Sequence, residues 1–248
     1  MIEHLPTTEQ RVAARNRPAQ MPVMHQSWNK LLFMHWKIPV EILRRLIPKP
    51  LEVDTFEDEA WVALTPFTIY DLRPPLLPAL PYISSLHELN VRTYVYFDGM
   101  PGVWFFSLDA NNFLAVFGGR SVFSLPYHEA DISLQQNKND VIYRSTRSSG
   151  QGKFAADWTI GEDRPAAEPG SLEFFLTERY CLYTAAGGRI YRCRIHHEPW
   201  PLQRTDRLSK YESNMFEING LPQPLGQPLL HCGGPVHVDV WYPERVLR

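Results

Sequence analysis

The sequence predicts a β-dominated α+β fold: one large, curled antiparallel sheet carrying two or three short helices. Three observations carry that reading. Segments rich in β-branched and aromatic residues with period-two alternation recur along the chain, most clearly at residues 88–97 and 103–108. Asp98-Gly99 and Gly187-Gly188 lie between such segments, as turns do in β-hairpins. No internal repeat and no shift in composition divides the 248 residues into two units.

The elements follow in order. Residues 1–22 read as a polar N-terminal arm, flexible unless it docks, with about one helical turn over 8–15. The remainder, 23–248, reads as a single domain. Residues 27–36 (SWNKLLFMHW) are expected to form the first strand. In 40–47, Val40, Leu43 and Ile47 recur at helical spacing, Pro39 suits the start, and Pro48 and Pro50 end the run. A strand is expected at 61–69. The segment 71–85 contains Pro74, Pro75, Pro78 and Pro81, cannot join a ladder, and suits a rim or lid. Beyond the 88–108 hairpin, strands are expected at 121–125, 132–136, 141–146 and 154–160. Ser171, after Pro169-Gly170, can cap a helix over 172–177. Strands at 180–184 and 189–196, a helix at 206–214 and a strand at 236–241 complete the expectation.

Composition narrows the function classes. At 44% hydrophobic and 12% aromatic, the chain can bury a core without disulfide staples. A net charge of -2, with both signs interspersed, leaves no electrostatic footprint for nucleic acid or an anionic membrane surface. Cys181, Cys193 and Cys232 are odd in number and lack CxxC spacing, so they are expected to be reduced thiols. No apolar run reaches the roughly 18 residues of a membrane span, and residues 1–20 lack the apolar core of a secretory signal. The expected location is cytoplasmic.

Residues able to carry chemistry cluster on strand 88–97. Alternation puts Glu88, Asn90 and Arg92 on one face, continued by Tyr94 and Tyr96, with Leu89, Val91, Thr93 and Val95 opposite. Such a face either lines an interior, where an arginine grips a carboxylate and a glutamate moves a proton, or is a solvated face with an ion pair. Asp109, Asn111 and Asn112 suit a turn. Glu178 and Arg179 read equally as site residues or as a satisfied pair at a helix end. The histidines show no HExxH or other ligand spacing; His35, His87, His231 and His237 could meet only through the fold, so no metal is expected. Gly118-Gly119 lacks a GxGxxG pattern, and no cofactor is expected.

Two stretches resemble the acetoacetate decarboxylase superfamily. One is Leu43-Arg-Arg-Leu-Ile-Pro-Lys-Pro-Leu-Glu-Val-Asp54. The other has Glu88 opening a strand, then Gly119-Arg120, then five residues and Pro126. More closely, the chain is similar to the YqjF-like family of uncharacterised proteins. The matching segments are His35-Trp36, Glu88-Leu-Asn-Val-Arg-Thr-Tyr94, Ser107-Leu-Asp109, Leu125-Pro-Tyr127, Leu176-Thr-Glu-Arg-Tyr180 and His197-Glu-Pro-Trp200. The resemblance covers most of 23–245 and implies a cone-like β-barrel with a ligand cavity inside. It also exposes a departure. Decarboxylases carry two lysines after that proline, the first forming a Schiff base; here the positions are Tyr127 and His128, and no lysine lies between Lys49 and Lys138. The upstream arginine of the decarboxylases falls on Asn29.

The expectation is therefore a small-molecule-binding protein or lyase-like enzyme, acting on a small carboxylate or carbonyl compound without a Schiff-base lysine. Glu88, Tyr127 and His128 would handle protons, and Arg92, Arg120, Asn90 and Asp109 would hold the ligand. Two alternatives stay open: a non-catalytic sensor or carrier using the same cavity, and a structural protein whose cavity is filled by its own side chains. A homo-oligomer is compatible with all three.

Overall fold

The structure, a computed structural model, describes residues 4–80 and 83–246. An arm bearing α1 (Thr8–Ala13) leads into β1 (Met24–Asn29), β2 (Leu31–Ile38), α2 (Val40–Leu46), β3 (Glu52–Val53) and β4 (Ala60–Arg73). The hairpin of β5 (Leu86–Phe97) and β6 (Met100–Ala110) is followed by α3 (Phe113–Phe123), then β7 (Tyr127–Asn137), β8 (Asp140–Arg147), β9 (Lys153–Asp163) and α4 (Leu172–Thr177). β10 (Cys181–Ala186), β11 (Arg189–His197), β12 (Leu202–Ser213), α5 (Met215–Ile218), β13 (Leu229–Gly233), β14 (Val236–Val240) and β15 (Glu244–Arg245) complete the described elements.

All the strands join one ring-like sheet. Its order is β1-β14-β11-β10-β6-β7-β8-β9-β12-β13-β2-β4-β5-β3, with β15 on β11 and two further pairings, β1–β4 and β5–β6. Those two pairings close the sheet into two rings that share β4, β5 and β6. The first ring adds β1, β14, β11 and β10; the second adds β7, β8, β9, β12, β13 and β2. The sheet is mixed rather than wholly antiparallel: β6 pairs in parallel with β7 and with β10. A parallel neighbour needs a crossover, and α3 supplies it between β6 and β7.

Alternation along the shared wall decides what fills each ring. Leu89, Val91 and Val95 of β5 turn into the second ring and pack with Val62, Leu64, Tyr143, Trp158 and Phe216. The opposite face of the wall turns Phe67, Ile69 and Leu108 into the first ring, against Phe33, Ile195, Trp200 and Val238. A β-bulge in β6 sets the phase: Val91 pairs with Ser107, but Arg92 pairs with Phe105. The extra residue brings both Phe105 and Leu108 to the first ring's side.

Both turn signals hold: Asp98 and Gly99 have φ of 49° and 70°, and Gly187 and Gly188 have 55° and 71°. Three local expectations are corrected. Residues 27–36 form two strands, because Lys30 at φ 56° breaks the run and sends β1 to β14 and β2 to β13. Residues 121–125 contain the end of helix α3 rather than a strand. Asn112 is its cap, accepting from the backbone N–H groups of Leu114 and Ala115 at 3.0 and 3.1 Å. Residues 206–214 belong mainly to strand β12, which pairs with β9 from Gln203 to Ser213; cross-strand pairing overrides local helix preference. The three cysteines are free and buried.

The arm is docked, held by three arginines. Arg11 places two N–H groups on Asp54 at 2.7 and 2.6 Å, Arg15 reaches Glu178 at 3.4 Å, and Arg17 reaches Asp239 at 2.7 Å. Asp54 is fully buried and also accepts from Arg179 at 2.6 Å. Removing its charge strands a buried guanidinium. Asp54→Asn is therefore expected to cost about 3–5 kcal/mol in urea denaturation; a loss of about 1 kcal/mol or less, typical of a surface ion pair, would contradict this.

Candidate functional site

The first ring encloses a cavity of about 490 Å³. Its wall is mostly apolar, with a few inward polar groups: Gln26, Thr65, Glu88, Asn90, Arg92, Tyr127, Thr177, Arg179 and His197. Period-two alternation on β5 delivers Glu88, Asn90 and Arg92. Thr65 comes from β4, directly opposite Asn90 in the ladder. The exposed lining residues Pro74, Ile83, Leu114, Val122 and Tyr242 mark the mouth, near the Leu86 end of β5; Arg92 and Arg179 lie at the buried end.

Glu88 is 3% exposed and accepts a hydrogen bond from the Tyr127 hydroxyl at 2.7 Å. The chain between Gly119 and Tyr127 is built for that contact. Gly119, in α3, lies so close to the Tyr127 ring that a Cβ there would sit 2.4 Å from two ring carbons. Arg120 Nε donates to the Tyr127 carbonyl at 2.8 Å, and Ser124, at φ 52°, turns the chain out of the helix. From the second ring, the Tyr143 hydroxyl donates to the Glu88 backbone carbonyl at 2.9 Å. Burial pushes the Glu88 carboxyl up to about 7, against hydrogen bonds from Tyr127 and Asn90 that favour its charged form. Burial and the adjacent Glu88 carboxylate hold the Tyr127 phenol well above its ordinary value.

Arg92 is 9% exposed, and its guanidinium lies 5.3 Å from the Phe33 ring centroid and 5.9 Å from that of Tyr94. Its Nε and Nη2 are buried without a hydrogen-bond partner, and no described carboxylate forms an ion pair with it. Asn90 Oδ1 and Thr65 Oγ1 are likewise buried and unpartnered. Unsatisfied buried groups are costly, so a cluster facing a void is a place where water or a ligand can be held. Arg179 is partly satisfied by Asp54 and by the Phe175 carbonyl, leaving Nη2 free.

Four of the seven sequence-derived candidates share this cavity: Glu88, Asn90, Arg92 and Tyr127. The other three do not, which corrects the expectation of one common site. Successive helical residues turn by about 100°, so packing Gly119 on Tyr127 sends Arg120 to the outer surface. His128 follows Tyr127 on β7 and faces the opposite side. Arg120 and His128 line a separate cleft of about 180 Å³ with Glu129, Arg147, Ser148 and Ser149. Burial, then Arg147 and Arg120, lowers the His128 pKa to about 4. Asp109 faces away from the cavity and is held by Arg147 Nε at 3.0 and 2.9 Å. Glu178 is a latch, accepting from Trp200 N at 3.0 Å and from the Tyr180 hydroxyl.

Gln26, Thr65, Thr177, Arg179 and His197 complete the polar lining. Thr65 could have been found from the odd-numbered face of strand 61–69; Arg179 and His197 arrive only through the fold. No lysine lines the cavity among the described residues. Lys37 sits at the surface, its ammonium 3.3 Å from Glu59. Burial raises all three thiols, Cys232 to about 11 and Cys181 to about 12, so none is an activated nucleophile. Outside the cavity, His25, His237 and Asp239 bring metal-ligand-type atoms within 4.8 Å of one another. They come from paired strands β1 and β14, and Asp239 already carries Arg17.

The profile of DUF2071, described as "Uncharacterized conserved protein", matches residues 25–237. The chain belongs to that family. It is 40% identical over 220 residues to the uncharacterized protein YqjF of Bacillus subtilis (strain 168), covering 88% of this chain and 90% of that one. Among solved structures it is similar to an acetoacetate decarboxylase (TM-score 0.62, 15% identity, 94% and 91% of the two chains). It is also similar to the acetoacetate decarboxylase of Legionella pneumophila (TM-score 0.63, 12% identity, 100% and 98%). A third is the enduracididine biosynthesis enzyme MppR complexed with pyruvate (TM-score 0.63, 11% identity, 91% of each chain). At these identities the likeness establishes the fold that this DUF2071 protein shares with them.

Two predictions follow from the geometry. Gly119→Ala is expected to cost about 1–3 kcal/mol by overpacking against Tyr127. Gly118→Ala, whose new Cβ meets nothing within 4 Å, should stabilise by up to about 1 kcal/mol through helix propensity. Thermal denaturation of the pair checks the contrast; equal effects would refute the close approach. The second concerns pH. Folded Glu88 keeps its proton to about 7 while the unfolded chain loses it near the ordinary 4.5, so its contribution to stability declines as pH rises through that window. Glu88→Gln should match the parent at pH 4 and exceed its stability at pH 8 by on the order of 2–4 kcal/mol. Parallel stability–pH curves for the two proteins would count against a perturbed Glu88.

Proposed function

We propose that the first-ring cavity binds a carboxylate-bearing carbonyl compound and moves a proton on it without forming an imine. The observation that carries this reading is the buried Glu88–Tyr127 pair facing the same void as the unpartnered guanidinium edge of Arg92. A carboxyl titrating near neutrality can accept a proton from a carbon next to a carbonyl and return it. The Tyr127 hydroxyl is the nearby donor for a developing enolate oxygen. Arg92, with the Thr65 hydroxyl as a further donor, would receive the carboxylate. The absence of lysine from the described lining supports proton transfer over imine chemistry.

A second reading, a sensor or carrier using the cavity without turnover, is favoured by one feature: Glu88 and Tyr127 satisfy each other through a direct hydrogen bond. The third, a structural protein with a filled interior, is disfavoured by the open first ring.

Proton exchange separates the first two. Keto acids incubated with the protein in D₂O are expected to gain deuterium next to the carbonyl, followed by NMR. The rate should rise with pH towards neutrality and fall by about 100-fold or more in Glu88→Gln. Borohydride treatment with the same acids should leave the protein mass unchanged, and a lysine adduct would overturn the mechanism. Saturable binding without exchange would favour the carrier.

A further inference from the structure

The order of groups along β5 constrains the shape of the ligand. Reading inward from the mouth, the cavity presents Glu88, then Asn90, then Arg92. Glu88 and Arg92 are four residues apart on one strand, or about 13 Å at about 3.3 Å per residue. The Arg92 guanidinium lies over Phe33 and Tyr94, so it is not folded back upon Glu88. A short β-keto acid, with its carboxylate beside its carbonyl, cannot engage both groups at once.

The unpartnered atoms specify the ligand's inner end. Nε and Nη2 form the edge of the guanidinium that grips a carboxylate side-on through two parallel N–H bonds. Most of the remaining wall is apolar, and Arg179, beside Arg92 at the buried end, is already held by Asp54. A volume of about 490 Å³ lies in the range that holds drug-sized molecules. Between the polar groups stand Phe67, Phe105, Leu108 and Ile195, and at the mouth Leu114 and Val122 are at once cavity lining and 53% and 50% exposed.

We infer that the ligand is an elongated, amphipathic monocarboxylic acid, bound with its carboxylate inward on Arg92 and its apolar chain running past Glu88 towards the mouth. This rests on the cavity assignment proposed above but not on catalysis. The reactive carbonyl, where there is one, lies several bonds from the carboxylate, level with Glu88 and Tyr127. Such a ligand satisfies the Arg92 edge that the protein leaves open, and it covers apolar wall that a small acid would leave wet.

Calorimetric titration with straight-chain acids from acetate to dodecanoate, alongside the matching primary alcohols and acetoacetate, tests the assignment. Affinity for the acids is expected to rise by up to roughly four-fold per added methylene until the chain reaches the mouth. Acids should exceed matched alcohols by roughly ten-fold or more. Arg92→Met should erase that preference while leaving the alcohols within about two-fold, since only the charged contact is lost. Leu114→Trp, at the partly exposed mouth, keeps Arg92 intact and should weaken only the longest acids. Acetoacetate binding as tightly as decanoate, or an acid-to-alcohol ratio near unity in the parent protein, would overturn the inference. Deuterium exchange on short keto acids without length dependence would overturn it while leaving proton transfer standing. Length dependence without exchange would do the reverse.

Discussion

Period-two alternation along β5 places charged groups and aliphatic side chains on the two sides of one buried strand. β5 lies inside the wall shared by two closed circuits of pairing, so neither face reaches solvent directly. Leu89, Val91 and Val95 complete a dense core in one circuit. Glu88, Asn90 and Arg92 are thereby fixed over a void in the other. A single-residue slip of β5 would drive a carboxylate and a guanidinium into the aliphatic core and empty the cavity of its polar groups. The register is held by hydrophobic packing that never touches the cavity.

Burying that polar face is expensive, and the structure compensates it unevenly. Glu88 receives Tyr127, and Arg179 receives Asp54. Arg92 receives two aromatic faces and no acceptor for its Nε or Nη2. Arg179 has Asp54 and Arg147 has Asp109, whereas Arg92, against the void, has no carboxylate partner among the described residues. The same contrast separates Asp109 from Glu88: both are buried carboxyls close in space, but Asp109 is neutralised side-on by Arg147, whereas Glu88 has the uncharged partners Tyr127 and Asn90. Partner choice, rather than burial, distinguishes a strut from a group left available for chemistry.

Much of this was legible in the sequence wherever a short-range rule applied. The β-rich class, both hairpin turns, the capped helix after Ser171 and the shared face of Glu88, Asn90 and Arg92 follow from local periodicity and turn chemistry. Tyr127 as a cavity residue alongside Glu88 followed from the resemblance. What stayed hidden needed the third dimension. Nothing local says that Gly119 faces inward and Arg120 outward, because α3 was obscured by its own adjacent glycines. Arg179 and His197 reach the cavity from segments remote in sequence from β5. The β6 bulge changes which residues line the cavity without a marker in composition, and the convergence of His25 with His237 and Asp239 joins strands from opposite ends of the chain.

One contact crosses between the two circuits at the acid itself. Tyr143 is wholly buried in the filled core, yet its hydroxyl reaches the backbone oxygen of Glu88. The Glu88 carboxyl is thus seated partly by a residue that lies outside the cavity. Inheritance of function in such a molecule would not be confined to the lining. Drift in the aliphatic core around Tyr143 shifts the seat of Glu88, so selection for a particular ligand acts on positions remote from it. Two descendants could keep an identical cavity wall and still seat Glu88 differently through the filled ring.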